Sequence, residues 1–368
     1  MLQVVEDVLL DKPADVAKNE VREALVAQLM GRRPQSEVDV HIGCVGESST
    51  GLNTDPMQDE VDKVDEVPNV PCEHPGSSEN PAPAVEACLN TAHCWEFDAF
   101  QLTALTAGRP LSVLAYWLLQ KTGLVSTMLL DPAKLVRWLC HIEAGYCANA
   151  YHNRSHAADV VQTLHMLLTQ GGLAPGYADP LTRLAAYLAA VCHDYQHLGR
   201  TNDWLIETRD ELALRYNDRS PMENHHLAAA FSLLKDSELN FLAALPKASW
   251  ERLRKLMVEL VLGTDLPSCG KASSSTVGEL QPVSEQDKLL SLQAEFFAQG
   301  DAERAQGLAI SPLCDRTKQG ITKSQVDFFD FVALPLFKNF TSRFTAAKPL
   351  INGVLRNYAH WQAQAADS

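Results

Sequence analysis

From about Cys94 onward, apolar residues recur at intervals of three and four. Leu111, Leu114, Leu118 and Leu119 form one such set, and Leu135, Trp138, Leu139 and Ile142 a second. Leu181, Leu184, Leu188 and Val191 repeat the spacing, as do Leu253, Leu256, Val258 and Val261. That period gathers apolar side chains on one side of an α-helix. Alternation by two, the mark of a half-buried strand, is nearly absent. Residues 93–366 are therefore expected to form one packed, all-α domain. Asp179 to Cys192 reads as a buried helix with an Asp cap and a proline in its first turn. Ser155 to Thr169 reads as another, with Val160, Leu164 and Leu167 facing inward. Pro267 to Glu285 is small, polar and rich in Gly and Ser, which predicts a loop.

The N-terminal quarter is different. Residues 1–92 hold 18 Asp and Glu against 6 Lys and Arg, so most of the net charge of -15 resides there. Between Glu37 and Ala92 there are 12 acids and one base, Lys63, with six prolines and few large apolar groups. Such a composition buries too little surface to offset ordering entropy, so residues 36–92 are expected to be a disordered acidic linker. Ahead of it, within residues 1–35, Val16, Val21, Leu25 and Leu29 are spaced as in an amphipathic helix. That helix is either a marginal tail element or a docking element.

The acid excess argues against a nucleic-acid polymer as partner, because phosphate binding needs a basic face. No apolar run is long enough for a transmembrane segment, and the N-terminus lacks the basic start of a secretory signal. Nine scattered cysteines without a CxxC pair suit a reducing compartment. An intracellular, cytoplasmic protein is expected.

Seven of the twelve histidines fall between His152 and His226, in the strings YHNRSHAADV, HDYQHLGRTN and NDRSPMENHH. His152 and His156 are four apart, as are His193 and His197, and Asp194 follows His193 directly. Two helix ends can then present His156, His193 and Asp194 to one ion. Imidazole and carboxylate donors suit zinc and harder divalent ions, and no thiolate is placed to close a structural site. His152, just ahead of its helix, is freer to move a proton. His165 and His360 read as ordinary core or surface histidines. His225 and His226 are adjacent and point in different directions, so neither is assigned a role.

These strings resemble the class I 3′,5′-cyclic nucleotide phosphodiesterase catalytic domain. YHNRSHAADVVQTLHMLL, HDYQHLGRTNDWLI, LALRYNDRSPMENHHLAAAFSLL, EFFAQGDAERAQGLAISPLCDR and KSQVDFFDFVALPLF look like the family's blocks in the family's order, from about Trp95 to Phe340. The resemblance implies a compact multi-helix, HD-type domain with a two-metal centre that holds zinc and magnesium or manganese. It implies hydrolysis of the cyclic phosphodiester of cAMP or cGMP to the 5′-monophosphate. By the same likeness, His156, His193 and Asp194 match metal ligands, and His152 matches the acid that protonates the leaving oxygen. His197 and Glu223 match groups that hold metal-bound waters and orient His152. Gln325 and Phe328 match the residues that hydrogen-bond and stack on the purine.

One family string is missing. After VLGTDL (Val261 to Leu266) the ADxxNP-like segment, which carries a second metal-ligand aspartate, is absent, and no tryptophan-containing helix follows. The histidine that follows the TD motif in relatives is also absent, and Leu198 stands where proline is usual. Neither Asp265 nor Asp287 has a motif that supports it as a substitute. Two expectations follow: an active phosphodiesterase, or an impaired member that binds nucleotide or partners without turnover.

Overall fold

The computed structural model describes residues 82–95, 97–174, 176–265, 285–317 and 321–366. Among these every regular element is helical, as the three-and-four spacing predicts. In chain order the α-helices are α1 (Ala82–Asn90), α2 (Ala99–Leu105), α3 (Pro110–Lys121), α4 (Leu124–Thr127) and α5 (Pro132–Gly145). There follow α6 (Arg154–Thr169), α7 (Pro180–Cys192), α8 (Asn202–Glu207), α9 (Glu211–Arg215) and α10 (Pro221–Leu233). The last five are α11 (Lys247–Leu262), α12 (Glu285–Ala305), α13 (Ile321–Phe328), α14 (Leu334–Arg343) and α15 (Lys348–Ala366).

Helix α7 is the hub. Asp179 accepts the Thr182 N–H at 2.8 Å and Pro180 opens the helix, so its start is fixed by its own sequence. Every residue from Leu184 to Cys192 is buried, a pattern expected only for a helix enclosed on all sides. Ala185, Ala186, Ala189 and Ala190 keep its outline narrow, and α3, α6 and α11 pack directly on it. Each fully buried leucine here contributes about 1.5–3 kcal/mol. Leu111, Leu114, Leu118 and Leu119 on α3, and Leu135, Trp138, Leu139 and Ile142 on α5, all face the same core.

Helix α6 starts one residue earlier than the sequence predicts. Asn153 is its cap, accepting from the Ser155 N–H at 2.9 Å and the His156 N–H at 3.3 Å. His156 therefore sits in the first turn. At the C-terminal end, α13 passes into α14 through a π-turn, Phe329–Ala333. Pro335, at the start of α14, has no N–H to give, and the wider turn takes up that gap.

One sequence expectation is corrected. Residues 82–92 were assigned to the disordered linker, yet Cys88, Leu89 and Ala92 are buried in the main core through α1 and a 3₁₀ turn at Thr91–His93. The acids of the linker stop short of this stretch except for Glu86, and the average over the whole segment conceals it. The packed part therefore begins ahead of residue 93. The expected helix within 1–35, the rest of the linker and most of the loop after Leu266 lie outside the described residues.

Candidate metal centre

His193 caps the C-terminus of α7 and Asp194 follows it, so both hang from a helix enclosed on all sides. Tyr146, buried on the turn after α5, donates to the Val191 carbonyl at 3.0 Å and accepts the Asp194 N–H at 3.4 Å. His156 approaches from the first turn of α6. Its Nε2 lies 3.2 Å from His193 Nε2 and 3.3 Å from Asp194 Oδ2, and His193 Nε2 is 3.0 Å from the same oxygen. Two nitrogens on one tetrahedral zinc stand about 3.3 Å apart, so this triangle has the dimensions of a shared ion.

The protonation states also fit. His193 Nδ1–H donates to the Ala190 carbonyl at 2.9 Å, which leaves the Nε2 lone pair facing the triangle. Burial lowers the His156 pKa, keeping it in the neutral, ligating form. Burial opposes the charge on Asp194, but the neighbouring imidazoles of His193 and His156 hold its carboxyl well below the usual range.

A second group adjoins the first. Glu295, on α12, accepts from His152 Nδ1 at 2.5 Å, and its other oxygen accepts the N–H groups of Tyr151 and His152 at 2.8 and 3.1 Å. Burial works against an imidazolium at His152, but the hydrogen bond to Glu295 and the nearby carboxylates raise its pKa. The same contacts bring Glu295 down to about 2, against the effect of its own burial. The His197 ring lies parallel to His152 at 4.1 Å. Burial, and then the His152 charge, push His197 well below the ordinary value. Asn149 donates to the carbonyls of both His152 and His197, at 3.0 and 2.7 Å, and so clamps the two loops together.

His152, His197 and Glu295 are also close enough to surround an ion. His197 Nδ1, however, accepts the Gly199 N–H at 2.9 Å, which places its proton on Nε2 and leaves no free lone pair. Glu295 is already engaged by three N–H donors. This group is built to hold protons.

Glu223, on α10, accepts from Asn202 at 2.9 Å, and burial followed by the charge of Asp265 raises its pKa to about 7. Asp265 accepts the Ser220 hydroxyl at 2.6 Å and is not part of the His156–His193–Asp194 ligand set. The side chain of Asp287 lies outside the described residues. Gln325 and Phe328 sit on α13. Phe328 is half-buried against the core and beside Phe329, and no hydrogen bond or ring contact among the described residues ties either to the histidine cluster.

Sequence reasoning missed two residues. His226 turns its Nε2 to within 3.9 Å of Asp194 Oδ1, its Nδ1 donating to the Tyr195 carbonyl at 2.5 Å. It lies three residues after Glu223, on one face of α10, and that spacing was the available signal. His225 points elsewhere, to Gln196. Glu295 is 143 residues from His152, so no local spacing announces it.

An all-helical body with an open His/Asp ligand triangle beside a His–Glu pair defines a metal-dependent hydrolase type of site. A sequence model of the 3′5′-cyclic nucleotide phosphodiesterase family matches residues 151–288 and 278–354, and the chain belongs to that family. The dual specificity calcium/calmodulin-dependent 3′,5′-cyclic nucleotide phosphodiesterase 1C of Mus musculus is 37% identical over 289 residues, 70% of this chain and 41% of that protein. The 1B enzyme of Mus musculus is 36% identical over 288 residues, 70% of this chain and 53% of that one. The crystal structure of the phosphodiesterase domain of Salpingoeca rosetta rhodopsin phosphodiesterase superposes with a TM-score of 0.68 at 25% identity, covering 79% of this chain and 96% of that one. The chain thus spans about two fifths to half the length of these curated relatives. Among the described residues no helix is long and apolar enough to cross a membrane.

Proposed function

We propose that this chain hydrolyses the 3′,5′-cyclic phosphodiester of cAMP, cGMP or both to the 5′-monophosphate, in cyclic nucleotide signalling within the cytoplasm. The observation that carries the reading is the His152–Glu295 pair standing beside the His156–His193–Asp194 triangle. His156, His193 and Asp194 would hold the tighter divalent ion, zinc by the chemistry of the donors, beside a second that would be magnesium or manganese. Bound there, the ions supply Lewis acidity that activates water and polarises the phosphoryl group.

The remaining work falls to the chain's own side chains. Cleavage expels O3′ as an alkoxide, a poor leaving group unless it is protonated. His152, its pKa raised through Glu295, is suited to deliver that proton from Nε2 while Nδ1–H stays on the carboxylate. His197 and Glu223 orient His152 and hold water at the ions. Gln325, able to donate and accept, and Phe328, an aromatic face, are proposed to take the purine.

The absence of the ADxxNP-like segment leaves three protein ligands for the tighter ion, a number that catalytic zinc sites do use. The complete His152–Glu295 pair favours turnover over mere binding. Purified chain with zinc and magnesium or manganese is expected to release 5′-nucleotide from cAMP or cGMP. A folded, metal-loaded sample that turns over neither overturns the reading.

A further inference from the structure

The helix that delivers Glu295 is held by polar groups. On α12, the buried side chains Lys288, Glu295, Gln299 and Glu303 follow one another at steps of seven, four and four, which is one face of a helix. Leu292 is the only apolar side chain of α12 buried to the same degree among the described residues. Apolar burial is non-directional and tolerates sliding. Hydrogen bonds do not, and three residues of this face make them to the body. Gln299 accepts the Thr201 N–H at 2.9 Å, Glu295 holds Tyr151 and His152, and Lys288 donates to Asp159 at 2.8 Å.

The last two rungs share a register. Stepping back seven residues along α12, from Glu295 to Lys288, corresponds to stepping forward seven residues, from His152 to Asp159. The two segments therefore run antiparallel, with rungs about 10.5 Å apart along α12. Midway between them, Ser291 and His156 line one small cavity together with Lys288 and Asp159. Both side chains of the ion pair are almost wholly buried, 7% and 5% exposed. A slip of α12 by one turn would leave two buried charges unpaired, an arrangement far less stable than a slipped apolar contact.

We propose that the Lys288–Asp159 ion pair sets the register of α12 against α6 and thereby seats Glu295 on His152, making both residues positioning residues for the proton donor. The proposal rests on the reading of His152 as the leaving-group acid. Its consequence is selective. Loss of the pair disturbs proton delivery while the ligand triangle, which belongs to α6 and α7, stays in place.

The test uses the full, metal-loaded chain with Lys288→Met, Lys288→Arg and the double change Lys288→Met with Asp159→Asn, which leaves no unpaired charge. Two quantities are read. One is the downfield proton resonance of His152 Nδ1–H, assigned by its loss in His152→Ala. The other is turnover of a cyclic nucleotide against that of a p-nitrophenyl ester of a 5′-nucleotide, whose leaving group needs no proton. Lys288→Met, or the double variant if the single one does not fold, is expected to shift or lose the downfield proton. It should also lower kcat on the cyclic substrate about 10–100-fold. KM, bound metal and ester hydrolysis should stay within about threefold, and Lys288→Arg should restore the cyclic rate. An equal fall on both substrates, or an unchanged proton and rate, overturns the proposal. If the unaltered chain turns over no cyclic nucleotide, the proposed function falls instead. The resonance then decides the register by itself, and an unmoved signal in the Met variant overturns it.

Discussion

The rings of His152 and His197 lie 4.1 Å apart and 23° from parallel, yet their proton affinities are driven in opposite directions. Glu295 supports a charge on His152, while burial and that very charge exclude a second one on His197. The stacked pair is arranged to hold one proton. Replacing His152 with Ala is expected to lower kcat about 10²–10⁴-fold with bound metal retained, read by steady-state kinetics and metal analysis together. A full-rate variant removes His152 from the reaction.

Glu295→Gln keeps a hydrogen-bond acceptor for His152 but removes the charge. The His152 pKa is raised in the folded protein, so the carboxylate extends the range over which the imidazolium survives. Without it the proton is lost at lower pH, and the alkaline limb of the kcat profile should move toward acid. A limb that stays where it was would show that the pair does not govern proton delivery.

His165 gives a pH-dependent stability that is independent of the site. Its ring is 1% exposed, in contact with the Tyr187 hydroxyl at 2.6 Å and His93 at 2.8 Å, and burial brings its pKa down to about 4. An unfolded histidine titrates near ~6.5, so between these values the unfolded chain binds the extra proton. Stability is therefore complete above about pH 6.5 and is lost as the pH falls toward 4, by on the order of 3 kcal/mol. Urea midpoints at pH 7.5 and 5 should differ more for the natural chain than for His165→Gln. Equal differences would contradict the assignment.

Gly300, within EFFAQGD, is fixed by contact. A Cβ built there would stand 1.9 Å from the Cys314 carbonyl oxygen and 2.7 Å from its carbon. Backbone cannot swing aside as a side chain can, so Gly300→Ala should destabilise the fold by about 1–3 kcal/mol. A drop in melting temperature checks this, and an unchanged value would mean that the loop after α12 yields freely.

Legibility in the sequence followed the range of the interactions. The helices α3, α5, α6 and α7 were readable because each buries a regular apolar stripe. His156, His193 and Asp194 were readable because helix signals placed two of them at the end of one helix and the third at the start of another. Glu295 was not, since its partner lies 143 residues away and no periodicity encodes that meeting. Helix α12 begins at Glu285, where the expected loop ends, but its buried face is polar, so no apolar stripe announced which side packs inward. The stretch 82–92 was misjudged because an average over a long acidic segment outweighed three buried apolar residues.

The alanine-rich hub leaves His193 and Asp194 no independent freedom, since both are rooted in a rod gripped from every side. Any motion around the two side chains must then come from the segments that surround the hub, with their roots as the still point.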